Sequence, residues 1–214
     1  MTYAIGASES NQMRVQIFLK KAFDFVGGLL GLMITTPLLL IVAILIKLDS
    51  RGPVFFRQKR VGRKGRIFEI WKFRTMVENA ESIGAGSKIY KNDSRITMVG
   101  KFIRRFGVDE LPQLINVIKG DMSFVGPRAA LPHQVEKYNK FERQRLQIKP
   151  GITNINVAMK GWNALPWRER IKWDVWYIDN WSLWLDFKIL FKTPLAVLSG
   201  SGQYGEKGIV EDYE

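Results

Sequence analysis

The chain has 214 residues, with 33 Lys plus Arg against 20 Asp plus Glu, a formal charge of +13, one His and no Cys. Without thiols it cannot carry disulfides, zinc ribbons, iron–sulfur ligands or a cysteine nucleophile, and one imidazole excludes a multi-histidine metal site. So basic a balance points to an acidic partner, whether nucleic acid, an anionic membrane surface or a phosphorylated substrate, and composition does not choose among them.

The first predicted element is membrane-directed. From Phe25 to Ile46 no residue is charged, and a helix of that length reaches roughly 33 Å, enough to cross a bilayer. A secretory signal fits poorly, since its apolar core is shorter and a small-residue cleavage site follows it; here Lys47, Leu48 and Asp49 follow. A buried core helix is the bland alternative. Arg14, Lys20 and Lys21 precede the run, and Lys47, Arg51, Arg57, Lys59, Arg60, Arg63, Lys64 and Arg66 follow it. Positive flanks fix a cytoplasmic position, so both ends ask for the same side. Thr35, Thr36 and Pro37 stand mid-run, where proline deletes a backbone hydrogen bond and a threonine hydroxyl can serve a freed carbonyl. The expectation is a helix-break-helix at Thr36–Pro37 that enters one leaflet and returns. The competing expectation is a straight or mildly kinked span with an external N-terminus.

Between Arg51 and Arg74 nine basic residues are opposed only by Glu69. Val54, Phe55 and Phe56, then Gly62-Arg63-Lys64-Gly65, then Ile67, Phe68, Ile70 and Trp71 predict a short hairpin with a basic tip. Part of that charge serves anionic phospholipid, at about 1 kcal/mol per basic residue. Val99, Phe102, Ile103 and Phe106 recur at helical spacing, as do Leu111, Leu114, Ile115 and Ile118, and helices are expected near 132–148, 166–180 and 183–198. Six of the seven tryptophans lie between Trp162 and Trp184. Trp181, Trp184, Phe187 and Phe191 read as one face of an interfacial helix, with core packing as the competing reading for each. The fold class is therefore mainly α with a short β-hairpin, a re-entrant N-terminal membrane helix and amphipathic interfacial helices. Residues 1–48 form the N-terminal segment and 49–214 a cytosol-facing catalytic domain.

The pattern Gly200-x-Gly202-x-x-Gly205 is rejected as a nucleotide site, because no strand leads into it and too little chain follows for the required helix. His133, beside Pro132, reads as the start of a helix rather than a base. The strongest constellation is Asp109-Glu110-Leu111-Pro112-Gln113-Leu114, two acids opening an amphipathic helix with Pro112 in the first turn. Such acids usually do no more than cap a helix and oppose its dipole. Lys72, Arg74, Arg104, Arg105 and Arg128, if close, would change that: they would attract phosphate, and Mg²⁺ takes mixed carboxylate and phosphate coordination. A carboxylate kept ionised there can attack phosphorus.

Gly52-Pro53-Val54-Phe55-Phe56-x-Gln58-x-Arg60-x-Gly62, Lys72-Phe73-Arg74-Thr75-Met76, Arg95-Ile96-Thr97, Asp109 to Leu114, Asn116-Val117, Gly120-Asp121-Met122-Ser123, Gly126-Pro127-Arg128 and Lys149-Pro150-Gly151-Ile152-Thr153 together resemble the bacterial sugar transferase family. These are the monotopic phosphoglycosyl transferases of the bacterial cytoplasmic membrane, and the likeness, from about Lys20 to Thr193, is to the minimal members. The resemblance implies a transferase that moves a sugar 1-phosphate from a UDP-sugar to polyprenyl phosphate, typically undecaprenyl phosphate, with release of UMP. By the same carry-over Asp109 is the nucleophile, Glu110 a Mg²⁺ ligand beside it, Arg128 a contact to the donor phosphates or the intermediate, and Arg104 a contact to a lipid phosphate. Lys72 and Arg74 would line the site, and downstream glycosyltransferases would consume the product. Departures from the family pattern are Thr75, Gly107-Val108, Ala129 in place of the second proline of Pro-Arg-Pro, and Asn154; none removes a reacting group. The alternative from a different class is a basic membrane-surface adaptor or nucleic-acid binder whose acids merely cap a helix. The sugar, the oligomeric state and the glycoconjugate pathway are not legible in the sequence.

Overall fold

A computed structural model describes residues 7–83, 89–90, 93–160, 165–199 and 209–210. Trp162 and the Gly200–Gly205 pattern lie outside them. The long first helix, α1 (Ala7–Asp49), is followed by a hairpin of β1 (Phe55–Val61) and β2 (Ile67–Phe73) with a 3-10 turn at Arg63–Gly65, as the alternation predicted. A two-residue strand β3 (Ile89–Tyr90) pairs antiparallel with β6 (Ile209–Val210). Then come α2 (Met98–Arg105), a 3-10 turn over Val108–Gln113, α3 (Leu114–Lys119) and β4 (Ser123–Val125). The rest is α4 (Pro132–Glu136), a 3-10 turn over Glu142–Gln147, β5 (Gly151–Thr153), α5 (Ile155–Lys160), α6 (Trp167–Asp179) and α7 (Leu183–Leu198).

α1 is no core helix: only 11% of its apolar window is buried, and by length and composition it can cross a membrane. It also departs from the expected helix-break-helix, since its helical assignment continues through Pro37. The hydroxyls of Thr35 and Thr36 donate to the carbonyls of Gly31 and Leu32, each at 2.7 Å. Such back-bonding accompanies bending rather than termination, so proline is carried inside one helix. Both halves of α1 rest on the same body. Phe23 meets Phe124 and Phe187, with ring centroids 5.6 and 5.5 Å apart. Lys20 pairs with Asp186 of α7 at 2.6 Å. Further along, Val42 and Ile46 are buried with Phe73 and Ile103, and Asp49 Oδ2 accepts from the Val99 amide at 3.0 Å.

The expected helix at 132–148 splits into α4 and the later 3-10 turn. Asn139 and Glu142 exchange side-chain and backbone bonds, each at 2.9 Å, a reciprocal cap that starts a new turn. His133 does fall in the first turn of α4. The tryptophan face also divides. Trp184 and Phe191 are 66% and 77% exposed, whereas Trp181 packs against the buried cluster of Val125, Ile155, Tyr177 and Ile189 and donates to Asp186.

Candidate active site

The acidic pair is delivered by a tight turn. Gly107 holds φ +67°, a conformation that suits glycine, and the chain then winds through the 3-10 turn before α3 begins. Val108 leaves this turn to pack on the α1–α2 cluster, which accounts for the Gly107-Val108 pair. α3 is tied to the hairpin by Asn116, whose amide accepts from Trp71 N at 3.0 Å and donates to Glu69 O at 2.7 Å. That lock brings β2 against the turn. Lys72 Nζ then meets Glu110 Oε1 at 2.6 Å, with side-chain exposures of 16% and 18%. Gln113 donates to the other Glu110 oxygen.

The two carboxyls are displaced in opposite directions. Burial, then the charge of Glu110, push Asp109 up to about 6 against the pull of Lys72 and Arg104. Burial also pushes on Glu110, but the charges of Lys72 and Arg128 and the bonds from Lys72 and Gln113 outweigh it and hold Glu110 down at about 2. Burial lowers Lys72 from the usual lysine range, and Arg128 adds to that, while the acids hold it up. The turn therefore presents one firmly ionised acid and one poised near neutrality.

Of the basic residues expected here, Lys72, Arg104 and Arg128 act on the pair. Arg104, in the last turn of α2, donates from Nε to Thr75 Oγ1 at 2.7 Å; a threonine keeps the hydroxyl needed for that. Arg74 does something else. It is 6% exposed and its guanidinium binds the carbonyls of Ser50, at 2.8 Å, and Arg51, fastening the exit of α1 instead of facing the carboxylates. Arg74 follows the last residue of β2, so strand alternation from Lys72 no longer sets its direction, and sequence spacing alone does not reveal that.

Arg128 sits on a loop held from both sides. Arg145 donates to its carbonyl and Arg60 to that of Ala129, each at 3.0 Å. These two bonds supply restraint where the family's second proline is missing. Arg145 is itself fixed by Asp174 at 2.5 Å and by the Tyr138 hydroxyl at 2.6 Å. Asn154, the other departure, serves α5: its Oδ1 accepts from Val157 N at 3.0 Å, the bond of a helix cap. Behind Arg128 lies a cavity of about 20 Å³ whose lining includes Arg145, Asn156, Trp167, Arg170 and Asp174, none of them singled out by the sequence motifs.

The turn thus pairs a poised carboxylate with a fixed one, under the charges of Lys72, Arg104 and Arg128 and packed through Val108 on the long apolar helix α1, an arrangement suited to holding an anionic group. The bacterial sugar transferase family matches residues 15–200. An uncharacterized sugar transferase of Bacillus subtilis, EpsL, is 40% identical over 87% of this chain and 90% of its own length. The UDP-N-acetylgalactosamine-undecaprenyl-phosphate N-acetylgalactosaminephosphotransferase of Aeromonas hydrophila is 42% identical over 88% of this chain. The undecaprenyl-phosphate galactose phosphotransferase of Salmonella typhimurium is 40% identical over 87% of it. The chain spans 45% and 42% of those last two relatives. It belongs to the bacterial sugar transferase family.

Proposed function

We propose that this transferase moves a sugar 1-phosphate from a UDP-sugar onto polyprenyl phosphate, undecaprenyl phosphate being the acceptor named for two of its relatives. The observation that carries this is the divided behaviour of Asp109 and Glu110 under Lys72. An Asp109 carboxylate oxygen attacks the sugar-linked phosphorus; the phosphorus–oxygen bond to UMP breaks as the acyl phosphate forms. A phosphate oxygen of the polyprenyl acceptor then attacks the same phosphorus, and Asp109 leaves as a free carboxylate. Lys72 and Arg128 offset charge on the phosphates, and Arg104 steadies the ionised form of Asp109 and faces the lipid phosphate.

Mg²⁺ fits this donor set. The two adjacent acids offer hard oxygens, and although no cluster of three acidic or histidine ligands occurs among the described residues, one or two carboxylates plus substrate phosphates suffice for this ion. Asp109 and Glu110 would hold it, and when bound it neutralises charge on the diphosphate.

The protein works from the cytoplasmic face of a bacterial inner membrane, seated among phospholipids and handing its product to later glycosyltransferases, with no role for nucleic acid. The basic residues that flank the uncharged run on both sides support keeping both ends of α1 on that face. The test is detergent-solubilised protein with Mg²⁺, undecaprenyl phosphate and a panel of UDP-sugars. UMP is expected with at least one donor and not with Asp109→Asn. Mass spectrometry without lipid acceptor should find a phosphosugar on Asp109. Full turnover by Asp109→Asn would refute the covalent scheme.

A further inference from the structure

The cavity behind Arg128 contains a polar atom that the fold leaves unserved. Asn156 is 5% exposed. Its Nδ2 donates to the Arg170 carbonyl at 3.1 Å and to Asp174 Oδ1 at 3.0 Å, which employs both amide hydrogens and settles which end of the amide is which. Its Oδ1 is buried without a hydrogen-bond partner, and Asn156 is one of the residues lining the cavity. A buried acceptor of this kind is costly unless a donor arrives. Nearby Arg145 is already engaged by Asp174, the Tyr138 hydroxyl and the Arg128 carbonyl.

Size and position limit what the donor can be. About 20 Å³ admits a group the size of one water and excludes a sugar or uracil ring. Trp167 offers little to a nucleobase, since Arg145 and Arg170 already lie over its ring at 5.5 and 5.1 Å. Arg128 lines the cavity and, after Lys72, is also one of the cations whose charge lowers Glu110, so one side chain links the cavity to the acidic pair. A hydroxyl one or two bonds from a hexose ring, with its anomeric phosphate at Asp109, has the right size and hydrogen-bonding sense.

We infer that Asn156 is a specificity-determining residue whose Oδ1 accepts a hydrogen bond from one hydroxyl of the sugar being transferred. This rests on the function proposed above. The experiment compares wild type and Asn156→Ala on UDP-glucose, UDP-galactose, their N-acetyl counterparts, and the monodeoxy analogues of whichever donor releases UMP. In wild type one deoxy analogue should lose about tenfold in kcat/KM, and in Asn156→Ala the parent donor should fall by a similar factor with no further penalty for that analogue. Inhibition by UMP, which reports the nucleotide half alone, should stay within about twofold of wild type. An unchanged deoxy penalty in the variant would overturn the inference, and so would a parallel weakening of UMP. Unaltered kinetics with every donor would mean that a buried water serves the acceptor, which also overturns it. Should Asn156→Ala fail to fold, Asn156→Ser, which keeps a donor for Asp174, carries the same comparison. If wild type releases no UMP from any donor, it is the proposed reaction that fails.

Discussion

Asp109 and Glu110 are adjacent and chemically alike, yet the 3-10 turn gives them different surroundings. Glu110 takes the hydrogen bonds of Lys72 and Gln113, while at Asp109 burial and a like charge outweigh the pull of Lys72 and Arg104. For the reaction the sign is simple: Asp109 attacks only when ionised, so kcat/KM should fall as pH drops through its titration, and Mg²⁺ held by the pair should move that fall below the metal-free value of about 6. Stability runs the other way. The folded state holds this proton more tightly than the unfolded chain, so stability declines as pH rises from about 4, the ordinary aspartate range, to about 6. Asp109→Asn should therefore abolish turnover while raising the melting temperature at pH 8 relative to wild type, a combination that differential scanning measurements can check. Lys72→Met should cost about 100-fold in kcat. That Lys72 would meet the acidic pair was legible in the sequence only through the ordered motifs of the family resemblance, since two acids at the start of a helix are common by themselves. Spacing does not reveal that Arg74 binds the carbonyls of Ser50 and Arg51, because one guanidinium looks like another until the backbone sets its aim, and Asn156 carried no signal, since its partners Arg170 and Asp174 lie farther along the chain.

Elements place these residues more than their own propensities do. β4 and β5 run parallel, Ser123 beside Gly151 and Val125 beside Thr153, and their ends approach so closely that a Cβ on Gly151 would stand 2.1 Å from Gly126 N. This approach explains why Gly-Pro-Arg and Lys-Pro-Gly occur together: one glycine passes the other so that Arg128 can emerge. Gly151→Ala has no flexible side chain to push aside, and we expect both a lower melting temperature and a loss of UMP release. Arg145→Met should likewise destabilise, by about 3 kcal/mol or more, because Asp174 would be left buried without its partner. The hairpin was readable from alternation and a Gly-bounded basic tip. The split at 137–142 was not anticipated, because helical periodicity continued through it while the Asn139–Glu142 cap quietly restarted the chain.

At the scale of the whole molecule, the apolar exposure is lopsided. Ile34, Leu40 and Leu48 of α1, Met98 and Phe102 of α2, and Phe191, Leu195 and Leu198 of α7 are all more than 60% exposed, a quantity of bare hydrocarbon that water does not tolerate on a monomer. We propose that a bilayer in contact with these three helices covers it. Single cysteines at Ser8 and Ser201, in a chain with no cysteine of its own, should react with an impermeant maleimide from the same side of inverted vesicles. Labelling from opposite sides would establish a full crossing. The sequence announced a membrane helix plainly, from its uncharged run and doubly basic flanks. How α1 settles against the body was hidden, because it depends on pairs such as Lys20 with Asp186, far apart in the chain.

That pairing orders events in time. Lys20 is made well before Asp186, which also receives Tyr177 OH at 2.5 Å and Trp181 Nε1 at 3.3 Å. The first helix is thus made well before its clasp exists, and docking is completed only once residue 186 has left the ribosome. Nascent chains stalled before residue 186 should expose α1 to protease at its N-terminal end, and chains released at full length should protect it.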